Sequence, residues 1–167
     1  MTASTQTATQ VLAAGGILRP AEVVAAAQRA GLELASAATM LEMESGGGRN
    51  VWGHDDVDTG GIYTKGSPVT RDAYLRYKAR RDVLGAQGVG PCQLTYPPLQ
   101  DQADALAGCW DWSSNVRVGF RHLAELIRAY GDRQGFRRYN GSGPAAENYG
   151  RHAVALLGDW RIRLAAP

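Results

Sequence analysis

Apolar residues recur every three to four positions along most of the chain, a spacing typical of helices with one buried face. The first such segment begins at Pro20 and ends before Gly31, since proline suits a helix start and glycine a helix end. The second covers residues 32–43, and three consecutive glycines follow it. Glu44 and Ser45 therefore fall where an apolar helix opens into a loop.

The rest of the chain repeats this alternation of helical segments and breaks. Further helices are predicted over about 70–84, 113–131, 132–138 and 145–164. Thr70 can cap the first of these, and Ser113 or Ser114 the second, because their hydroxyls accept hydrogen bonds from free N–H groups at a helix start.

Two segments depart from the helical pattern. Residues 49–68 are rich in glycine and aspartate, and the stretch Ile62-Tyr63-Thr64 predicts one arm of a small β hairpin. Residues 1–18 are rich in threonine, alanine and glycine and are expected to form a flexible lead-in or linker. We therefore expect one mainly α domain over residues 19–164, with a small β hairpin beside its functional groove.

Composition is that of an ordinary globular domain. Hydrophobic residues make up 44% and charged residues 20% of 167 positions, enough apolar material for one core. A formal net charge of +2 is too small to indicate nucleic acid, and it is compatible with an anionic cell wall. No apolar run could span a membrane, and residues 1–10 lack the features of a signal peptide. Cys92 and Cys109 are thus expected to be free thiols.

Glu44 is the main candidate for chemistry. Cleavage of a glycosidic bond needs a carboxylic acid that protonates the leaving oxygen, usually with a second carboxylate that activates water. An apolar, partly buried helix end would keep such an acid protonated. Glu42 lies two positions earlier and thus on another helix face. Taken alone, Glu44 and the nearby Asp55, Asp56 and Asp58 fit a solvated helix end and turn formers better than a catalytic group.

Four segments, taken in order, resemble the goose-type lysozymes and soluble lytic transglycosylases of the lysozyme superfamily. Glu44-Ser45 is similar to the pair that ends their catalytic helix, and Gly90-Pro91-Cys92-Gln93 to a Gly-x-x-Gln segment that lines the glycan groove. Tyr139-Asn140-Gly141 resembles a segment in which the tyrosine supports the catalytic glutamate and the asparagine faces the sugar. Residues 144–149, PAAENY, loosely resemble a Pro-x-x-Glu-x-x-Tyr region.

A fifth segment, residues 58–66, resembles the Asp-Thr-x-Gly-x-Tyr-Thr-x-Gly hairpin of the T-even phage lysozyme branch. In that branch the aspartate and the second threonine complete a catalytic group around the attacking water. The resemblance implies that Asp58 and Thr64 join Glu44 in this chain. The interval between Glu44 and Asp58 is longer than in that branch, so Asp56 stays as a substitute.

The resemblances cover residues 32–150 and imply an endolysin-type muramidase. Such an enzyme hydrolyses the β-1,4 bond between N-acetylmuramic acid and N-acetylglucosamine, with Glu44 as general acid and with Asp58 and Thr64 positioning water. One alternative is a lytic transglycosylase, which forms 1,6-anhydro-muramoyl ends with Glu44 alone. The other is a non-catalytic peptidoglycan-binding module. The Asp58/Thr64 pattern favours hydrolysis.

The remaining site residues follow from the same resemblance. Those implied to bind substrate are Gln93, Tyr139, Asn140, Ser45 and Tyr63. Gln93 could instead cap a turn, and Tyr139 could hydrogen-bond Glu44 or only pack. Trp52 could stack on a sugar, Tyr149 is predicted to be a core residue, and His54 is given no catalytic role.

The expected partner is the peptidoglycan glycan strand. No cofactor, metal, nucleic acid or membrane insertion is expected. The chain is expected to act as a monomer, by itself or as one module of a larger endolysin. It would be made in a host cytoplasm without a signal peptide and would act on the bacterial wall after release.

Overall fold

Helices make up most of the chain in the structure, a computed structural model that describes residues 3–53 and 59–166. In order, the helices of these ranges are α1 (Ala3–Ala14), α2 (Pro20–Ala30), α3 (Leu34–Ser45), α4 (Arg71–Lys78), α5 (Arg81–Leu84), α6 (Pro97–Asp104), α7 (Trp112–Asn140) and α8 (Gly143–Ala165). The mainly α class predicted from apolar spacing is confirmed. None of the described helices combines the length and apolarity needed to cross a bilayer.

The ends of α2 and α3 show how local sequence sets these helices. The bounds of α2 agree with the prediction. Its C-cap, Gly31, has the left-handed φ of 63° that glycine adopts without strain. α3 begins two residues later than expected and continues through Ser45 to Gly46, where φ is 61°. Glu44 therefore lies within the last turn of α3 rather than beyond it.

Other helix ends refine the predictions. The Thr70 hydroxyl accepts from Ala73 N at 3.3 Å and caps α4 as expected, but the helix predicted to continue to about residue 84 breaks into α4 and α5. α7 starts at Trp112 because Asp111, rather than a serine, is its cap: Asp111 Oδ2 accepts from Ser114 N at 2.8 Å. The predicted break at Gly131 is confirmed by its φ of 75°.

The expectation of a flexible lead-in over residues 1–18 is wrong for the part that the structure describes. Residues 3–14 form α1, and Leu12 and Ile17 are buried in the core. Leu18 N donates to Gly47 O at 2.8 Å, which ties this segment to the loop after α3. This segment has few large apolar residues, yet the burial of Leu12 and Ile17 and the Leu18–Gly47 hydrogen bond join it to the rest of the domain.

The hairpin predicted around Ile62-Tyr63-Thr64 does not appear in the described residues. Extended pairing there is limited to two isolated bridges, Val51 with Pro68 and Trp52 with Val89. Glycines with positive φ on both sides of the predicted strand curl the chain into turns instead. Residues 54–58, which would complete the hairpin, lie outside the described residues.

The core fixes the position of α3, the helix that ends at Glu44. α8 packs along both α7 and α3, and α2 packs against α7. Large side chains that are fully buried fill the space between them, among them Trp160, Phe120, Phe136 and Leu41. Each such side chain contributes about 1.5–3 kcal/mol of stability by burial. α3 is therefore held by contacts with helices from both the N-terminal and the C-terminal half of the chain.

Candidate active site

Glu44 is held at the end of α3 by a tyrosine from α8. The phenol of Tyr149 donates a hydrogen bond to Glu44 Oε1, and both residues are half-buried. Burial raises the pKa of the Tyr149 phenol well above its usual value, and the Glu44 carboxylate and the hydrogen bond raise it further. Tyr149 therefore keeps its proton and acts as a permanent donor to Glu44. It was predicted to be a core residue, and the loose match of residues 144–149 was the signal for its role.

The structure separates Glu44 from Glu42, the neighbouring carboxylate on α3. Glu42 Oε2 accepts a hydrogen bond from Trp160 Nε1 at 2.8 Å, so it is engaged by α8. Glu44 instead borders an open cavity of about 380 Å³. Within residues 3–53 and 59–166, it is the one carboxylate on that cavity's wall.

This space, the Glu44 cavity, is lined by the end of α3 and two loops: Met43, Glu44, Ser45, Gly46, Arg49, Val51, Trp52, Gly66 and Gln93. A larger groove of about 770 Å³ lies beside it and is here called the Tyr139 groove. Its walls are the loop 93–97, the side chains of His122 and Leu126, and the end of α7 with the turn that follows, residues 137–142. Gln93 borders both spaces, so they meet at this residue.

Gln93 forms the partition between the two spaces, and backbone groups accept both protons of its side-chain amide. Its backbone has a positive φ of 47°, which is uncommon for a residue with a side chain. Its Nε2 donates to Val51 O at 2.9 Å and to Gly90 O at 2.8 Å, which uses both amide protons. The predicted hydrogen bond from Gln93 to an N-acetyl group therefore has no free donor, and the side chain clamps two loops instead.

Tyr139 supports the site through the backbone rather than through Glu44. Its phenol donates to Cys92 O at 2.6 Å. A phenol has a single proton, so Tyr139 does not also donate to Glu44, as the resemblance implied. Its ring lies 5.7 Å from that of His122, on the wall of the Tyr139 groove. Asn140, the last residue of α7, is exposed on the same wall, where a sugar could reach it.

Ser45 is buried and has a structural role. Its hydroxyl donates to Pro91 O at 2.7 Å and accepts from Gly48 N at 3.1 Å. These bonds join the end of α3 to the loop that carries Gln93. They also help to set the shape of the cavity that Ser45 lines, and its contact with substrate stays a prediction.

The loop predicted to supply the catalytic partner contributes differently. Tyr63 stacks on Trp52 with ring centroids 3.8 Å apart and planes 5° apart. Trp52 is fully buried, so its ring has no exposed face on which a sugar could stack. Thr64 is exposed, and among the described residues 59–66 it is Gly66 that borders the Glu44 cavity. Asp58 lies outside the described residues, as do Asp55, Asp56 and His54.

Two buried amides that the sequence patterns did not reveal hold the Gln93 loop in place. Asn115 Oδ1 accepts from Cys92 N at 3.0 Å, and its Nδ2 donates to Val89 O at 2.8 Å. Gln100 Nε2 donates to Leu94 O at 2.8 Å on the other side of the loop. A polar residue within a helical apolar pattern gives no sign of its partners, so these side chains could not be found from spacing.

The cysteines are free and buried, as expected. Burial raises the pKa of the Cys92 thiol well above its usual value, and the Glu44 carboxylate raises it further. Burial also raises the pKa of Cys109, to about 12. Both thiols therefore stay protonated at neutral pH, and Cys92 gives Glu44 a neutral neighbour.

Comparison with known proteins adds no assignment: no family model, curated protein or solved structure matches this chain. The residues around the two spaces must therefore support any function by themselves. They provide one carboxylate with a fixed hydrogen-bond donor, an adjoining groove with an exposed amide, and a rigid partition between them.

Proposed function

We propose that the chain cleaves the glycan strands of bacterial peptidoglycan between N-acetylmuramic acid and N-acetylglucosamine, with Glu44 as the general acid. The observation that carries the proposal is the placement of Glu44. It is half-buried, hydrogen-bonded by Tyr149, and borders a cavity that shares Gln93 as a lining residue with the Tyr139 groove. A polymer lying across Gln93 would bring one of its linkages to the carboxylate.

Glycoside cleavage asks two things of such an acid. The carboxyl group must hold a proton and deliver it to the leaving oxygen as the sugar bond breaks. It must also keep a fixed direction, which the Tyr149 bond to Oε1 provides. The resemblance of Glu44-Ser45 and Tyr139-Asn140-Gly141 to lysozyme segments supports the same assignment and a lysozyme-like arrangement of the domain.

Hydrolysis is the outcome that we propose first. In this scheme Asp58, or Asp56 in its place, activates a water on the opposite face of the sugar, and Thr64 helps to hold that water. A hairpin carrying Asp58 and Thr64 would be part of the scheme. The chain would act as a monomer on the wall, without a metal or cofactor, after release from the cell in which it is made.

A lytic transglycosylase is the second candidate, favoured by the position of Thr64. Thr64 is exposed, and its loop meets the Glu44 cavity at Gly66. A single glutamate suffices for that reaction, because the muramoyl 6-hydroxyl replaces water. Mass spectrometry of digested sacculi separates the two: reducing ends support hydrolysis, and 1,6-anhydro-muramoyl ends support transglycosylation.

The experiment that tests cleavage itself is Glu44→Gln, measured by loss of turbidity of a peptidoglycan suspension. The amide keeps the shape and accepts the Tyr149 bond but cannot deliver a proton, so we expect activity to fall by about 10² or more. Glu125→Gln is the matched control, since Glu125 is an exposed carboxylate on α7. If Glu44→Gln keeps wild-type activity, or wild-type protein only binds sacculi, the proposal is wrong.

A further inference from the structure

Three arginines form a distinct surface between α2 and α7, here called the arginine face: Arg29, Arg117 and Arg121. All three are exposed. Cavities of about 320, 390 and 470 Å³ lie along this surface. Arg29 borders all three, and Arg117 borders two of them, so the cavities adjoin one another.

The positive charge of this face is not cancelled by ion pairs. Within the part of the chain that the structure describes, none of the three arginines lies within ion-pair distance of a carboxylate, and Arg121 is bonded to the neutral amide of Gln102. Two carboxylates border the cavities but have other partners. Glu22 pairs with Arg19 at 3.3 Å, and Asp111 Oδ2 accepts from Ser114.

Some cations elsewhere in the described residues are paired, unlike these three. Arg81 contacts Asp101 at 3.2 Å, and Arg161 contacts Asp132 at 2.9 Å and also Glu33. The whole chain has a formal net charge of only +2. Unpaired arginines gathered on one face therefore produce a local positive potential that the overall charge does not suggest.

The shape of the face indicates what kind of anion it fits. Four alanines of α2 line two of the cavities, Ala21, Ala25, Ala26 and Ala30, so short side chains lie beside the arginines there. Trp112 is the aromatic residue of these walls, and it is buried, so no ring is offered for a nucleobase to stack on. Arg117 and Arg121 are one helical turn apart, about 6 Å between their Cβ atoms. Two phosphates joined by one small polyol unit could reach both.

We propose that the arginine face binds an anionic polymer of polyol phosphodiesters, in which guanidinium groups grip successive phosphates through paired N–H···O bonds. A slender chain without bases suits cavities that have short side chains beside their arginines. This contact goes beyond the proposed cleavage site, because none of the three arginines borders the Glu44 cavity or the Tyr139 groove.

The test measures binding of fluorescent poly(glycerol phosphate) by anisotropy, over a series of salt concentrations. The variant is Arg29→Gln/Arg117→Gln/Arg121→Gln. The control removes the same charge from exposed arginines elsewhere: Arg76→Gln/Arg151→Gln/Arg163→Gln. We expect the first variant to lose affinity at least tenfold and its log–log salt slope to shrink by about three, one per arginine, while the control changes little.

Three results would overturn the proposal. The wild type could fail to bind poly(glycerol phosphate), or both triple variants could lose affinity equally. The third is that the wild type binds single-stranded oligonucleotide or anionic lipid vesicles more tightly, per phosphate, than poly(glycerol phosphate). Polygalacturonate, a polycarboxylate, should compete more weakly than poly(glycerol phosphate), and stronger competition would also count against the phosphodiester assignment. The triple variant should still clear purified, polymer-free peptidoglycan at the wild-type rate. The binding measurement does not depend on cleavage, so an inactive Glu44 would disprove the proposed function without disproving this proposal.

Discussion

The hydrogen bond from Tyr149 to Glu44 can be removed without removing the tyrosine ring, by Tyr149→Phe. At a pH where Glu44 is ionised, the change deletes one charge-assisted bond of a half-buried pair. Hydrogen bonds to charged groups contribute about 1.5–3 kcal/mol, so we expect the free energy of unfolding to fall by that order. Tyr139→Phe is the matched control. It deletes a bond to the neutral carbonyl of Cys92, which contributes about 0.5–1.5 kcal/mol.

The two variants should differ more clearly in the pH dependence of cleavage. If Glu44 is the general acid that we propose, activity requires it to be protonated, and the alkaline limb of the profile follows its ionisation. The bond that Tyr149 donates favours the ionised carboxylate, and its loss disfavours ionisation. Tyr149→Phe should therefore move the alkaline limb to higher pH, whereas Tyr139→Phe should leave it in place.

The assay is the initial rate of turbidity loss across the pH range, combined with urea unfolding of each variant. A slower rate for Tyr149→Phe is also expected, since Glu44 loses the contact that fixes its direction. The reasoning would be refuted by an alkaline limb that stays at its wild-type pH in Tyr149→Phe, or one that moves equally in both variants. A purely structural role for Tyr149 would change stability alone.

Two further predictions concern the partition residue and the pH dependence of stability. Gly88→Ala should cost about 1–3 kcal/mol in urea unfolding, because the new Cβ would lie 2.5 Å from Gln93 Oε1, and Gln93 cannot swing away without breaking its two amide bonds. Gly158→Ala, a helical glycine with open space around it, should instead stabilise by about 0.5–1 kcal/mol, and a comparable loss in both would contradict the packing argument. The hydrogen bond from Arg161 lowers the pKa of Glu33 below 4.5, so its stabilising effect is present above that pH and is lost as pH falls through the lowered pKa. Arg161→Gln should therefore flatten the loss of thermal stability below about pH 4.5, and an unchanged acid profile would show that the pair does not act this way.

Helix ends were predictable because they depend on a few neighbouring residues. Gly31 ends α2 and Thr70 caps α4 through contacts within four positions, which spacing and residue type reveal directly. Asp111 displaced the predicted serines for an equally local reason, since its carboxylate reaches the same N–H groups. Glu44 itself could be singled out as the carboxylate at an apolar helix end.

The sequence carried only the loose match of residues 144–149 as a signal for the partner of Glu44. Tyr149 is 105 positions away along the chain, and its hydroxyl reaches Glu44 because α8 packs along α3. Tyr139, which matched a lysozyme segment more closely, lies at the end of α7 and meets Cys92 instead. Nothing in either local sequence distinguishes these two tyrosines, because the difference is a relative position of helices.

The sequence by itself determined that the chain is mainly helical and which carboxylate stands at a helix terminus. It also determined where α2 begins and ends and where α4 begins. Apolar periodicity and capping are properties of neighbouring residues, so they survive without any knowledge of packing. Only the tertiary structure decided that α1 joins the core, that Gln93 and Ser45 are committed to backbone groups, and that Tyr149 holds Glu44. Each of these depends on contacts between distant segments, whose geometry follows from how the helices fill one core.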